Sequence, residues 1–455
     1  MPPPRILYST YTSAHYMPPL ELAERQIIIG PTYPSQVDNR GRVLSINCQR
    51  EFDIAAAAAA LPSDQQPDLF VAQIDSFFAC VPRNVQALAC RKVALIADTH
   101  HGPAPLSDLL AYFALERYDR LAVAHDPHHL HWFAEADLAP AALHLNLSVH
   151  DWPREVPLAI NPVIAFVGQA AAHHPRRRRL LVAMSRAGLP IEAVQAPRVE
   201  VASRMANAQL CFNCSLNGDL NMRPFEALSA GGCLLTDRLS AETGFDELFV
   251  DGRDLIIYDD ADDLIAKARY YLANPDLCRR IAESGHQRYL QTQAEPLRRQ
   301  RFLDYALASA DVAADLARRD QQRDERCRRR PPQLELLRRA AVYQNIQELQ
   351  RVELIDRVSL AAGVDAAYLA DVRDLHRVRH DPAPAESRRV CLLATAAELQ
   401  ELLRGYTRPP AEFLLVIDAD ADLAPSAAEL RRLDYHLIPG VPPGGGSLFK
   451  ADGER

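Results

Sequence analysis

Short apolar runs alternate with helical stretches along roughly the first 300 residues, and this alternation constrains the fold more than any other feature. Each run ends in polar or loop-forming residues, as strands buried on both faces of a parallel sheet do. The runs occupy residues 5–8, 68–72, 93–97, 121–124, 163–167, 191–194, 209–212, 232–235 and 254–258. We therefore predict an α/β fold with two Rossmann-like lobes, residues 1–155 and 156–308.

The same pattern indicates where a ligand would bind. In open α/β sheets, ligands bind in the crevice beyond the carboxyl ends of the strands. The loops after Ala97, Val167 and Phe212 are therefore the places where we expect a site, in a cleft between the two lobes.

Composition excludes several classes of protein. No apolar run approaches the roughly 20 residues that span a bilayer, and the first residues lack the apolar core of a secretion signal, so we expect a cytoplasmic location. A net charge of −8 gives no overall attraction to nucleic acid.

Nine cysteines without framework spacing indicate reduced thiols, and we expect Cys211 and Cys214 to lie at a buried strand end.

The last third of the chain has a different composition. Residues 309–388 are predicted as a helical, arginine-rich connector, and residues 389–455 as a small α/β module of unknown role. Binding of nucleic acid by the arginines of residues 318–330 is a weak hypothesis, because acidic residues interrupt the run and no aromatic residues interleave to stack on bases.

The segment from Asn217 to Asp237 carries the densest chemical signal. A loop rich in Asn and Gly precedes a predicted short helix that starts near Arg223 and Glu226. Free backbone N–H groups at a helix start suit a diphosphate, and a carboxylate one turn on can accept hydrogen bonds from a ribose diol. The alternative is that Arg223 and Glu226 form a helix-face ion pair capped by Asn221.

These residues resemble the GT-B glycosyltransferases, and specifically the group similar to the spore-maturation CgeB proteins. The resemblance covers about residues 90–300, and its most specific pieces are the residues from Phe166 to Gly168, His173 to Arg177, Asn217 to Asp237, and Glu247 to Leu255. It implies a retaining transferase that needs no metal or other cofactor, with a nucleotide diphosphate sugar held mainly by the second lobe.

The resemblance also implies roles for individual residues. Glu226 would hold the donor ribose, and Gly168 with the following basic residues His174, Arg176 and Arg177 would face the diphosphate. Asn217, Asp219 and Arg223 would complete the donor site. A purely solvated helix start remains the alternative for the arginines at 176–179.

One position departs from the family pattern. Related retaining enzymes often carry a second acidic residue eight positions before the ribose-binding glutamate, where it holds the sugar hydroxyls. Here that position is Gly218, and Asp219 is the nearest substitute.

The first lobe offers an acidic loop with two histidines directly after a buried strand, comprising Asp98, His100 and His101. Histidine titrates near neutrality and Asp98 could orient one ring, which favours an acid/base role toward the acceptor. The alternatives are a packing role at the lobe interface and, less favoured, a metal cluster. We expect the later histidines at 125–131 to form a solvated helix face.

The resulting hypothesis is a glycosyltransferase that moves a sugar from a nucleotide diphosphate to an unknown acceptor, which is a glycan, a protein or a small molecule. The rival hypothesis is an inactive nucleotide-sugar-binding or assembly protein on the same scaffold. The sequence predicts neither a nucleic-acid partner nor a transmembrane segment, and it leaves oligomerisation open.

Overall fold

The computed structural model describes most of the 455-residue chain. The residues outside the description are 1–2, 12–19, 103, 125–126, 139–141, 145–150, 153, 155–159, 171–173, 217, 324, 352–354, 356, 373–378, 382–389, 405–410, 412, 418–422, 424–425, 434, 438–446 and 452–455. Among the described residues, no helix combines the length and the apolar composition that a bilayer crossing requires.

In the part of the first unit that the structure describes there are ten strands and three α-helices. The strands are β1 (Ile6–Ser9), β2 (Gln26–Gly30), β3 (Gln36–Val37), β4 (Val43–Asn47), β5 (Glu51–Asp53), β6 (Leu69–Ile74), β7 (Val81–Arg83), β8 (Arg91–Ile96), β9 (Arg120–Val123) and β10 (Ala142–His144). The helices are α1 (Ile54–Ala59), α2 (Pro105–Leu115) and α3 (Leu130–Glu135), with 3₁₀ turns at Ser63–Gln65, Val85–Ala87 and Pro127–His129.

Eight of these strands form the first sheet, in the order β10-β9-β8-β6-β1-β2-β4-β3. All neighbours are parallel except β3 and β4, and β5 and β7 pair separately. After β1 the chain forms β2 on one side of β1, and it later forms β6 on the opposite side of β1. The strand order therefore reverses between β1 and β6. A reversal of this kind opens a crevice beyond the carboxyl ends of the two strands.

The second unit has five parallel strands in the order β12-β11-β13-β14-β15, and its order reverses between β11 and β13. The strands are β11 (Asn161–Val167), β12 (Ile191–Val194), β13 (Ala208–Phe212), β14 (Leu234–Asp237) and β15 (Ile256–Tyr258). The helices are α4 (Pro175–Arg186), α5 (Arg198–Asn207), α6 (Met222–Ala230), α7 (Phe245–Leu248), α8 (Ala261–Leu272) and α9 (Pro275–Thr292), with a 3₁₀ turn at Ala241–Thr243. Cys211 and Cys214 are buried at the end of β13, as predicted.

The carboxyl edges of the two sheets face each other. The 3₁₀ turn Pro127–His129, which follows β9, contacts the turn Ala241–Thr243, which follows β14. The helices α10 (Glu295–Leu307) and α11 (Ala310–Arg323) then return to the first unit, where the buried Tyr305 hydroxyl donates to the Leu121 carbonyl at 2.9 Å. The predicted fold, α/β with two Rossmann-like lobes, is therefore confirmed.

The chain ends in a third sheet in the order β17-β16-β18-β19-β21-β20. Its strands are β16 (Arg357–Leu360), β17 (Arg379–Asp381), β18 (Val390–Ala394), β19 (Phe413–Val416), β20 (Tyr435–Leu437) and β21 (Ser447–Ala451). The helices of this part are α12 (Gln333–Arg351), α13 (Ala366–Val372), α14 (Ala396–Arg404) and α15 (Ala427–Arg432), after a 3₁₀ turn at Glu325–Arg328. Two strands thus lie within residues 309–388, which we had predicted as a helical connector.

The third unit packs on the first through a shared apolar core that includes Tyr343 and Trp132. The Gln344 side-chain oxygen accepts the Leu106 N–H at 2.6 Å, which satisfies a donor at the start of α2. The arginine run takes part in the same interface. Arg329 and Arg339 both contact Glu135 and Asp371, at 2.6 to 2.9 Å.

That interface corrects the prediction of a solvated histidine face. His129 and His131 are fully buried. His129 lies 2.7 Å from the Thr99 hydroxyl through Nδ1 and 2.7 Å from the Tyr343 hydroxyl through Nε2. The physical reason is that the third unit covers this part of the first lobe, which the local sequence around the histidines cannot reveal.

Candidate functional site

The two facing crevices hold most of the candidate residues. We call the group Tyr11, Asp75, Phe77, Asp98 and His101 the first edge, and the group Gly168, Arg177, Arg223 and Glu226 the second edge. The third sheet reverses its order between β16 and β18, but there the Glu398 carboxylate accepts from the Gly363 N–H and from the Thr395 hydroxyl. The Glu398 side chain thus lies at the strand reversal of the third sheet. We therefore place the candidate site at the strand reversals of the first and second sheets.

Gly168 follows β11 directly and has a φ of +152°, which favours glycine. A Cβ atom at this position would lie 2.6 Å from the Arg223 guanidinium. The Arg223 side chain donates to the Val167 carbonyl and lies 5.1 Å from the centre of the Phe166 ring. Gly168 therefore allows an arginine to lie against the loop at the strand reversal.

Glu226 lies on α6, one turn beyond Arg223. Its carboxylate makes no ion pair with Arg223, and it has no hydrogen bond to any other described residue. Asn221 precedes α6 but its side chain does not cap the described helix. The structure therefore does not contain the alternative arrangement, a helix-face ion pair of Arg223 and Glu226 capped by Asn221.

The loop before α6 explains the departure at position 218. Gly218 has a φ of +79°, where an acidic side chain would be strained. The neighbouring Asp219 is 4% exposed, and its carboxylate accepts the Leu216 N–H at 2.7 Å. Asp219 therefore closes the loop, and Asn217 lies outside the described residues.

The start of α4 divides the predicted basic residues between two environments. Arg176 is 7% exposed, and its Nη1 donates to the buried Asp237 at 2.8 Å. Asp237 also accepts from the Ser215 N–H and hydroxyl, at 2.9 and 2.6 Å. Arg176 thus joins α4 to the ends of β13 and β14, whereas we had predicted that it faces the diphosphate.

Arg177 is more accessible than Arg176. It donates to the carbonyls of Gln169 and Cys214, both at 2.9 Å, and so bridges the loops after β11 and β13. A shallow depression opens here, lined by His174, Pro175, Arg176, Arg177, Ser215 and Leu216. The Nε and Nη2 atoms of Arg176 are buried without a hydrogen-bond partner among the described residues.

The first edge brings Asp98, His100 and His101 together. Asp98 accepts the His100 N–H at 2.8 Å and contacts Nδ1 of the His101 ring. This contact leaves the outer nitrogen, Nε2, of His101 available, and 36% of that side chain is exposed against 6% for His100. His101 is therefore the better placed of the two histidines to meet a ligand.

A metal ion is the alternative for this cluster. One ligand atom from each of Asp98, His100 and His101 lies within 4.8 Å of the others. However, an Asp that accepts loop N–H groups and an imidazole N–H also matches the usual way a carboxylate orients a histidine. Geometry allows both interpretations, and a chelation experiment separates them.

Sequence reasoning missed three residues of the first edge. Asp75 follows β6, is 2% exposed and hydrogen-bonds to Tyr11, which follows β1. Burial raises the pKa of Asp75, and the nearby negative charge of Asp98 raises it further. Phe77 stacks on His101 with ring centres 5.5 Å apart. Asp75 could have been found as the first acidic residue after an apolar run, had the predicted strand not stopped at Ala72.

Comparison with known proteins finds a family similarity in the second unit. Residues 176–304 match a family model described as "Glycosyl transferase-like". These residues are similar to glycosyl transferases. The match covers less than half of the chain. It starts at the second residue of α4 and includes α6, and it thus contains all of the second edge except Gly168. No curated protein sequence matches the chain.

Solved structures resemble about two thirds of the chain weakly. Anabaena HepE in complex with UDP and glucose is 12% identical, with a TM-score of 0.49 over 66% of this chain and 98% of that chain. Sucrose-phosphate synthase from Thermosynechococcus elongatus is 11% identical, with a TM-score of 0.45 over 65% and 96%. An α-glucosyltransferase in complex with UDP and DNA is 13% identical, with a TM-score of 0.46 over 67% and 100%. Similarity at this level carries no argument about activity.

Proposed function

We propose that the chain is a glycosyltransferase whose second edge holds a nucleoside diphosphate sugar and whose first edge holds the acceptor. The observation that carries this proposal is the arrangement of Gly168, Arg223 and Glu226 at the strand reversal of the unit that contains the family match. Open α/β sheets bind ligands at this position.

Each charged group has a chemical role in this proposal. Arg223 and Arg177 neutralise the diphosphate as negative charge develops on it. Glu226 accepts hydrogen bonds from the ribose hydroxyls. The second edge thus supplies cations where the leaving group forms and a carboxylate only where hydroxyl groups lie.

The reaction transfers one glycosyl group. A bond forms between the anomeric carbon and an acceptor oxygen, and the bond from that carbon to the diphosphate oxygen breaks, leaving its electron pair on the diphosphate. In our proposal the acceptor proton passes to Nε2 of His101, while Asp98 holds Nδ1 and stabilises the imidazolium. Retention of configuration, independence from metal and membership of the CgeB-like group are finer parts of the proposal, based on the motifs described above.

Release of nucleoside diphosphate from a panel of nucleotide sugars tests the proposal. We expect at least one donor to be hydrolysed slowly in the absence of acceptor, with loss of about 100-fold in rate of transfer for His101→Gln. Binding without hydrolysis or transfer would instead favour the rival non-catalytic protein, which the absence of an acidic residue at Gly218 supports. Failure of every nucleotide to bind would contradict both.

Chelation tests the proposed independence from metal. If Asp98, His100 and His101 only orient one another, treatment with EDTA leaves the rate of donor hydrolysis unchanged. A loss of activity that Mn²⁺ or Zn²⁺ restores would assign the cluster to a metal ion instead.

A further inference from the structure

The loop after β6 holds an exposed aromatic ring next to the acid/base pair. The Phe77 side chain is 57% exposed, although burial of a phenylalanine is normally favourable. Its ring stacks on the His101 imidazole at an angle of 26°. His101 in turn contacts Asp98, so the ring lies beside the group proposed to take the acceptor proton.

This loop has an unfavourable backbone conformation that surrounding contacts maintain. Phe78 has a φ of +51°, which is rare for a bulky side chain. The Arg50 side chain donates to the Phe77 carbonyl at 3.1 Å and to the Phe78 carbonyl at 2.6 Å. Asp75 closes the turn by accepting the Ala79 N–H at 3.2 Å. Strained residues held in this way concentrate at ligand sites.

The polar side chains at this end of the sheet are two carboxylates and a hydroxyl, and the Arg50 guanidinium beside the loop donates to the Phe77 and Phe78 carbonyls. Asp75, Asp98 and Tyr11 lie at the ends of three adjacent strands, β6, β8 and β1. An apolar ring face beside carboxylates and a hydroxyl matches a ligand that has one C–H face and a rim of hydroxyl groups. A pyranose ring has both features, whereas a phosphorylated ligand would be repelled by the two carboxylates.

We infer that Phe77 is the platform on which a pyranose acceptor stacks, so that the acceptor of this enzyme is a glycan. The inference rests on the proposed function, since it assigns the acceptor of the same site. The acceptor hydroxyl then lies next to His101, while a neighbouring hydroxyl donates to Asp98. Phe77 fixes the position of the acceptor and takes no part in bond formation.

Saturation-transfer NMR with a panel of methyl pyranosides, recorded with nucleoside diphosphate present, tests the platform. We expect saturation of the ring C–H protons in the parent and in Phe77→Trp. In Phe77→Ala, we expect a roughly tenfold weaker pyranoside affinity, the scale of one aromatic stacking contact. Tyr270→Ala removes a ring of similar exposure, 56%, from α8 and serves as the matched control.

The outcomes separate the platform from the proposed function. Unchanged nucleotide affinity in all variants, with pyranoside binding lost only in Phe77→Ala, supports the inference. Pyranoside binding that persists in Phe77→Ala, or a parent that binds nucleotide but no pyranoside, overturns the inference and leaves the donor site intact. A serine-containing peptide that shows saturation where pyranosides do not would overturn it as well.

Discussion

The two edges of the cleft differ in charge and in how the sequence builds them. The second edge is rich in arginine and comes largely from one segment, from α4 to α6. The first edge is acidic and aromatic, and it is assembled from loops after β1, β6 and β8. A negatively charged donor is thus favoured at the second edge and disfavoured at the first edge. The donor side and the acceptor side of the cleft therefore differ in charge.

The arginines at and next to the second edge serve two purposes. Arg176 is buried on Asp237, whereas Arg177 and Arg223 bond to backbone carbonyls near the surface of the cleft.

Arg176→Met should destabilise the fold by about 3–5 kcal/mol, because it leaves the buried Asp237 without its cation. Urea unfolding measures the difference. Arg178→Met, at an exposed position of the same helix, is the control and should change stability by less than about 0.5 kcal/mol. Equal stability of the two variants would show that the pair with Asp237 is not structural.

Gly168→Ala should weaken nucleoside diphosphate binding by roughly tenfold or more, because the new Cβ displaces the Arg223 guanidinium. Gly252→Ala is the matched control, since Gly252 has a φ of +75° and no heavy atom within 4 Å of the added Cβ. Both variants carry backbone strain of about 1–3 kcal/mol, but only the first should lose affinity in calorimetric titration. An equal loss in both would mean that strain explains the effect.

Asp75→Asn should make the fold more stable than the parent at pH 7.5, with little difference at pH 4. The pKa of Asp75 is raised in the folded state, chiefly by burial, so its contribution to stability is full below its ordinary pKa and is lost as the pH rises through the raised value. Thermal unfolding at several pH values measures the slope. Asp64→Asn, at an exposed residue of the same lobe, should leave the slope unchanged.

The sequence predicts the second edge better than the first for a physical reason. Arg223 and Glu226 lie on one helix start, so a local pattern contains both. Tyr11 and Asp75 meet only because β1 and β6 are neighbours in the sheet, and no local pattern contains that pairing.

Partners that are distant in the sequence also explain why the structure differs from the predictions for Arg176 and for the histidines. The partner of Arg176 lies 61 residues away on β14, and the groups that bury His129 and His131 belong partly to the third unit. Strand periodicity predicts the two lobes, because the apolar run of each strand depends on the burial of that strand alone. It does not predict which loops meet at a strand end or which surface a later unit covers.

The role of Glu226 is the central claim, and titration calorimetry with a nucleoside diphosphate and its 2′,3′-dideoxy analogue tests it most directly. We expect the parent and the control Glu192→Ala, at an exposed strand position, to bind the dideoxy analogue about tenfold or more weakly, since a hydrogen bond to a charged group contributes about 1.5–3 kcal/mol. Glu226→Ala should bind both ligands with equal, weak affinity. If Glu226→Ala still distinguishes the two ligands as the parent does, Glu226 does not hold the ribose and the account is wrong.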